Sequence, residues 1–233
     1  MPGGVSHNTN PLRQGCRQPE LEVGRVRVQG EEWGGEGVRG AGAMSDGEDE
    51  DPRVATLVEF AEMHTGSDGA WSGGPSTFAE RLDALGVDGA VAYGGILAAK
   101  GLARAHFAAM ALLDEDAEGG LAASVKLRRV PLKGVVASGG PDAAVHLLAA
   151  VEAFVCVECE GEVKQAEVAA FGKTLKALWE WDVVAEDAVQ AWVSDENAAR
   201  QLTVQVGDAR RLREAGQAFL DWVQEGGSDE DDA

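Results

Sequence analysis

The chain has 233 residues, 40 acidic against 20 basic side chains and a formal charge of −20. It therefore repels nucleic acid as a whole and favours basic partners; no direct nucleic-acid binding is expected, because phosphate tracking needs a basic face. Hydrophobic residues make up 45%, enough for one core with tails, and three cysteines, an odd number, argue against a disulfide framework and for a reducing compartment.

In chain order, residues 1–52 are expected to be a disordered, Gly-rich and acidic segment. Residues 1–43 hold 10 Gly, five Arg and five Glu without regular apolar spacing, too little to offset the entropy of ordering. Met44 offers a second start, followed by the run Ser45-Asp46-Gly47-Glu48-Asp49-Glu50-Asp51. Residues 53–224 carry apolar residues at alternating steps of three and four, which predicts helices. The clearest stripes are Ala144, Leu147, Val151, Phe154, then Val168, Phe171, Leu175, Leu178, and finally Leu212, Ala215, Phe219, Trp222. Pro141 suits a helix start and Asp208 suits an N-cap. Glycine joints at Gly66–Gly74, Gly119–Gly120 and Gly139–Gly140 separate the earlier helices. The apolar stretch Gly89–Leu113 is interrupted by Lys100, Arg104 and His106, and its charge-free piece Gly89–Ala99 is too short for a membrane span; it reads as buried helix. No segment alternates apolar and polar residues for long, so strand is expected to be nearly absent. The fold class expected is all-α, a HEAT-like stack of about ten short helices in antiparallel pairs. Residues 225–233 form an acidic tail. No membrane anchor or secretory signal is visible, and the cytoplasm is the expected location.

The usual signatures of catalysis are missing. Cys156 and Cys159 form a C-x-x-C, but a structural zinc needs four ligands, and the only other cysteine is Cys16. They read as core thiols. His7, His64, His106 and His146 have no second ligand at helical spacing, and His146 reads as a satisfied helix residue. No nucleophile elbow, P-loop or dinucleotide fingerprint occurs. No catalytic residue, metal ligand or cofactor is assigned, and the chain is expected not to be an enzyme. Lys126, Arg128, Arg129 and Lys133 cluster around Leu127, Val130 and Leu132. They are either a solvated helix face or a basic docking patch for an acidic partner.

Two C-terminal segments combine aromatics with acids. The first runs Leu178-Trp179-Glu180-Trp181-Asp182-Val183-Val184-Ala185-Glu186-Asp187-Ala188 and continues to Trp192. Carboxylates in a first helical turn favour the positive end of the helix dipole, which alone explains Glu186 and Asp187 structurally. The second is Phe219-Leu220-Asp221-Trp222-Val223-Gln224-Glu225, followed after two glycines by Ser228, Asp229, Glu230, Asp231 and Asp232.

These boxes resemble those of the C-terminal two-tryptophan (W-two) HEAT domain of eukaryotic translation initiation factors. The first family box reads approximately L-aromatic-acid-x-D-(V/I)-(L/I)-x-E-(E/D)-A, then W; the second reads F-(V/I)-x-W-L, then acids. Leu178, Trp179, Glu180, Asp182, Val183, Val184, Glu186, Asp187, Ala188 and Trp192 fill the first. Phe219, Leu220, Trp222 and Val223 match the second, with Gly226 and Gly227 interrupting the acids. The order of His106–Asp114, the basic stretch and His146–Phe154 is similar to initiation factor 5 within that group. The resemblance spans about residues 53–233. It implies an adaptor that binds lysine-rich segments of the initiation factor 2 beta subunit, with contacts to initiation factor 1 and the initiation factor 3 complex. Glu180, Asp182, Glu186, Asp187, Asp221, Glu225, Asp229, Glu230, Asp231 and Asp232 would form the binding surface, supported by Trp179, Trp181, Trp192, Phe219 and Trp222. The family's GTPase-activating domain, with its Arg and four-Cys zinc ribbon, does not fit in residues 1–52, so that activity is not implied. Two alternatives stand beside this reading: a guanine-nucleotide exchange-type domain acting on initiation factor 2, and a generic helical scaffold outside translation.

Overall fold

The apolar stripes become nine α-helices among the described residues, which in this computed structural model are 51–66, 69–87, 92–93 and 96–226. The expectations for residues 1–50 and for Asp229, Glu230, Asp231 and Asp232 lie outside the described residues. The helices are α1 (Pro52–Met63), α2 (Pro75–Ala84), α3 (Lys100–Leu112), α4 (Gly120–Ser138), α5 (Ala143–Ala153), α6 (Gly161–Glu180), α7 (Glu186–Ser194), α8 (Asn197–Gln201) and α9 (Val206–Gln224). Helix α1 illustrates a local start signal. Asp51 accepts the Arg53 backbone N–H at 2.9 Å, and Pro52 occupies the first helical position, where its missing N–H is no loss.

From α1 to α5, each helix packs on the helix after next, and α6 packs on α9. One layer runs α1, α3, α5, α7 and the other α2, α4, α6, α9. Within the second layer α6 and α9 run the same way. Lys164 meets Asp208 at 2.8 Å near their starts, and the Trp179 and Phe219 rings lie 6.1 Å apart near their ends. This is an all-α, HEAT-like stack whose shared core fills the space between layers. Leu57, Phe78, Phe107, Leu121, Leu147, Phe171, Trp192 and Leu212 are buried in it. Helices α2 and α4 approach so closely that a Cβ on Gly134 would stand 1.6 Å from the Pro75 carbonyl oxygen; no side chain fits there. No helix among the described residues is long and apolar enough to cross a membrane.

Two sequence readings are corrected. Within the stretch read as buried helix, Ala92–Tyr93 and Ile96–Leu97 are short strands paired antiparallel. Asp208 is not an N-cap; Gln205 holds that place, and Asp208 sits in the first turn of α9, paired with Lys164. A π-helical turn, Phe154–Glu158, follows α5, with Cys156 inside it and Cys159 just beyond. Both thiols are buried, and burial pushes Cys156 up to about 12 and raises Cys159 as well. Among the described residues no group of three or more His, Cys, Asp or Glu is placed to hold a metal.

Candidate partner-binding surface

The first acidic-aromatic box is a tight reversal between α6 and α7. The N–H groups of Val183 and Val184 both donate to the Leu178 carbonyl, at 2.9 and 3.2 Å, and Asp182 N–H donates to the Trp179 carbonyl at 2.9 Å. Asp182 adopts a left-handed backbone with φ of 48°, a conformation Asp tolerates better than most residues. The alternation of roles follows from this turn. Leu178, Val183 and Val184 are buried and anchor it, while Glu180, Asp182, Glu186 and Asp187 face solvent. Glu186 and Asp187 open α7, where the exposed N–H groups favour negative charge.

Beside this turn lies an open cleft of about 830 Å³ between the α4–α5 junction, α5, the end of α6 and α7. Its floor is apolar: Val136, Ala144, Val145, Trp179, Val183, Val184 and Ala188. Its carboxylates are Asp142, Glu180, Asp182, Glu186 and Asp187, and no Lys, Arg or His lines it. Two of the five have cations within the chain: Lys133 reaches Asp182 at 3.6 Å and Lys176 reaches Glu180 at 3.7 Å. Both pairs are largely solvated, Asp182 being 90% exposed, and contribute little to folding. Glu186 and Asp187 have no ion pair among the described residues.

The second box is fused to the first through aromatics. Trp179, Phe219 and Trp222 form a triangle with ring centroids 5.9–6.1 Å apart, a spacing at which edge-on and tilted rings attract. Phe219 is buried, and Trp179 and Trp222 are half-buried. Lys176 lies over the Trp222 ring at 4.9 Å. Asp221 and Glu225 are exposed on α9, with Gln217 donating to Asp221 at 2.8 Å. The structure thus gathers Trp179, Trp222, Phe219 and the carboxylates Glu180, Asp221 and Glu225 around adjacent helix ends. The sequence signal for this was the aromatic-plus-acid composition of both segments.

The sequence model of the family described as "W2: eIF4-gamma/eIF5/eIF2-epsilon" matches residues 143–233. Residues 143–233 thus carry the W2 signature. A comparison with curated proteins gives no match. Among solved structures, the chain is similar to "The C-terminal Domain of Translation Initiation Factor 5 at low pH", with 15% identity and a TM-score of 0.49 over 75% of this chain and 92% of that one. The match to the W2 model begins at α5, so both boxes and the α7 wall of the cleft lie inside it.

One feature of the W2 domain escaped the sequence reading. Trp192 is fully buried, yet its Nε1–H donates to Glu152 Oε2 at 2.9 Å, and Arg213 Nη2 donates to the same oxygen at 2.9 Å. The Arg213 guanidinium also lies 4.9 Å from the Trp192 ring, and Phe171 packs at 5.8 Å. This knot ties α5, α7 and α9 together and fixes the helix that bears Glu186 and Asp187. Burial is the strongest influence on Glu152 and pushes its pKa up to about 7, against the pull of Arg213 and the Trp192 N–H. A lone carboxylate inside the run Val145–Val157 was the signal that a buried partner was needed.

Three basic residues of α4 sit against the α6–α7 turn, and the fourth, Arg128, faces the end of α1. Arg129 and Lys126 lie over the Trp181 ring at 4.6 and 5.9 Å, Lys133 meets Asp182, and Arg128 donates to the Thr65 hydroxyl. Trp181 is therefore held by cations rather than by the aromatic triangle. His146, by contrast with the sequence reading, has a buried Nδ1 without a hydrogen-bond partner. Its ring lies where a Cβ on Gly101 would stand, 2.6 Å from Nδ1, and burial lowers its pKa.

Proposed function

We propose that this chain is an adaptor in translation initiation whose W2 domain captures lysine-rich segments of the initiation factor 2 beta subunit. The observation that carries the reading is the cleft beside the first box: five carboxylates line it and no basic side chain does. Flexible lysines meeting such a surface associate fast and salt-sensitively. The family description, which names eIF5 and eIF2-epsilon, supports a partner within the initiation machinery. On this reading Glu186 and Asp187 are the primary contacts. Glu180, Asp182, Asp221 and Glu225 extend them, and Asp229, Glu230, Asp231 and Asp232 continue the charge. The aromatic triangle and the Glu152–Trp192–Arg213 knot act by holding these carboxylates on rigid helices. The α4 basic residues back the turn through Trp181 and offer a positive surface for an acidic partner. Initiation factor 1 and the initiation factor 3 complex are the further partners proposed, in the cytoplasm.

The adaptor works by binding, not by chemistry. Capture of native initiation factor 2 from a lysate by the wild-type chain, lost in Glu186→Lys/Asp187→Lys, is the expected result. Equal capture by both proteins would remove the basis of the reading. Addition of the pure chain should leave the rate of nucleotide release from initiation factor 2 unchanged; acceleration would favour exchange-factor activity instead.

A further inference from the structure

We infer that the cleft beside the first box takes an amphipathic segment: one that seats an aliphatic side chain on the valine floor while flanking lysines or arginines reach the carboxylate rim. The inference rests on the adaptor reading and specifies its ligand further. Charge alone does not account for the cleft. Val136 and Val145 are half-buried and present hydrocarbon to the cleft, Val183 and Val184 are buried in its lining, and the cleft measures about 830 Å³. That volume is in the range of clefts that enclose ligands, roughly 300–1,000 Å³, whereas surface carboxylates that merely attract lysines need no concavity. An ammonium group over this floor would lose water without gaining a hydrogen bond; an aliphatic group there gains by leaving water. At the rim the preference inverts. With five carboxylates and no lining cation, the residues on either side of the buried one must be basic. Charge complementarity and floor chemistry thus select one class of occupant, a peptide alternating basic and aliphatic residues.

The test uses the full chain and two synthetic peptides of equal length and charge, one of Lys and Ser only, the other with two Ser replaced by Leu. Titration is followed at low and high salt. The Leu peptide should bind about tenfold tighter, the effect of burying part of one aliphatic side chain, and should keep that advantage at high salt while both affinities fall. Val145→Ser should remove the Leu advantage, bringing the two peptides to equal affinity. Glu186→Lys/Asp187→Lys should weaken both. Equal binding of the two peptides to wild type overturns the inference but leaves the adaptor reading standing. Binding of neither peptide, or binding indifferent to charge reversal, overturns the adaptor reading itself. Spermine binding as tightly as the Leu peptide overturns the inference in favour of a small polyamine site. Should Val145→Ser fail to melt cooperatively, the wild-type peptide comparison decides.

Discussion

Replacing Trp192 separates what its indole does by packing from what it does by hydrogen bonding. The ring is fully buried against Phe171 and Arg213, and its N–H is one of two donors to a Glu152 oxygen. Trp192→Ala leaves a cavity and an under-satisfied buried carboxylate. The packing loss alone is typically about 3–5 kcal/mol, and a lost hydrogen bond to a buried charged acceptor adds about 1–3 kcal/mol. Set against a total stability of about 5–15 kcal/mol, this variant should be largely unfolded or close to it. Trp192→Phe keeps much of the volume and removes the donor, so its deficit should be dominated by the hydrogen bond. The pH dependence identifies the carboxylate. Glu152 is raised from an ordinary 4.5 to about 7 in the folded chain, so its contribution to stability is fully present below pH 4.5 and is lost as pH rises through 7. Trp192 N–H, Arg213 and the nearby Glu196 all act on this group. Removing the N–H raises Glu152 further, so the Trp192→Phe deficit should be larger at pH 8 than at pH 5. Urea melts followed by circular dichroism at both pH values measure it. A deficit that is the same at pH 5 and pH 8, or absent, would refute the hydrogen-bonded knot.

His106 is buried and held down to about 4 by its burial; as pH falls from 6.5 towards 4 the unfolded chain gains a proton that the folded chain refuses, a loss of roughly 3 kcal/mol. His106→Gln should flatten that part of the stability–pH curve, whatever its effect at pH 8, and an unchanged slope counts against the assignment. Gly134→Ala places a Cβ 1.6 Å from the Pro75 carbonyl oxygen, and forced overpacking of this kind costs about 1–3 kcal/mol or more; a wild-type denaturation midpoint would show that α2 and α4 do not meet there. Glu186→Lys/Asp187→Lys should leave the helical circular dichroism signal intact, with a stability loss of about 0.3–1 kcal/mol per charge from the α7 dipole; collapse of the signal would mean that these carboxylates are structural.

The helical stack was legible because the apolar stripes were: Phe171, Leu175 and Leu178, and Leu212 and Phe219, all face the core. The layer order was not, since the packing of α2 on α4 or α6 on α9 depends on contacts across tens of residues. The candidate surface was legible as two boxes of aromatic and acidic residues, but not as a cleft. One wall of the cleft comes from Val136, Pro141, Asp142, Ala144 and Val145, which carry no box signature. The Glu152–Arg213 pair spans 61 residues of sequence, and only the isolated carboxylate in an apolar run hinted at it. The basic stretch read as a separate face; cation–ring contacts with Trp181 make it part of the same turn.

Calorimetric titration of a lysine-rich segment of the initiation factor 2 beta subunit into the full chain, at low and high salt and beside Glu186→Lys/Asp187→Lys, tests the central claim most directly. The account predicts saturable one-site binding to wild type that weakens as salt rises, because solvated carboxylates are screened, and strong weakening in the charge-reversed chain despite its wild-type fold. Binding of equal strength by the wild-type and charge-reversed chains would contradict it.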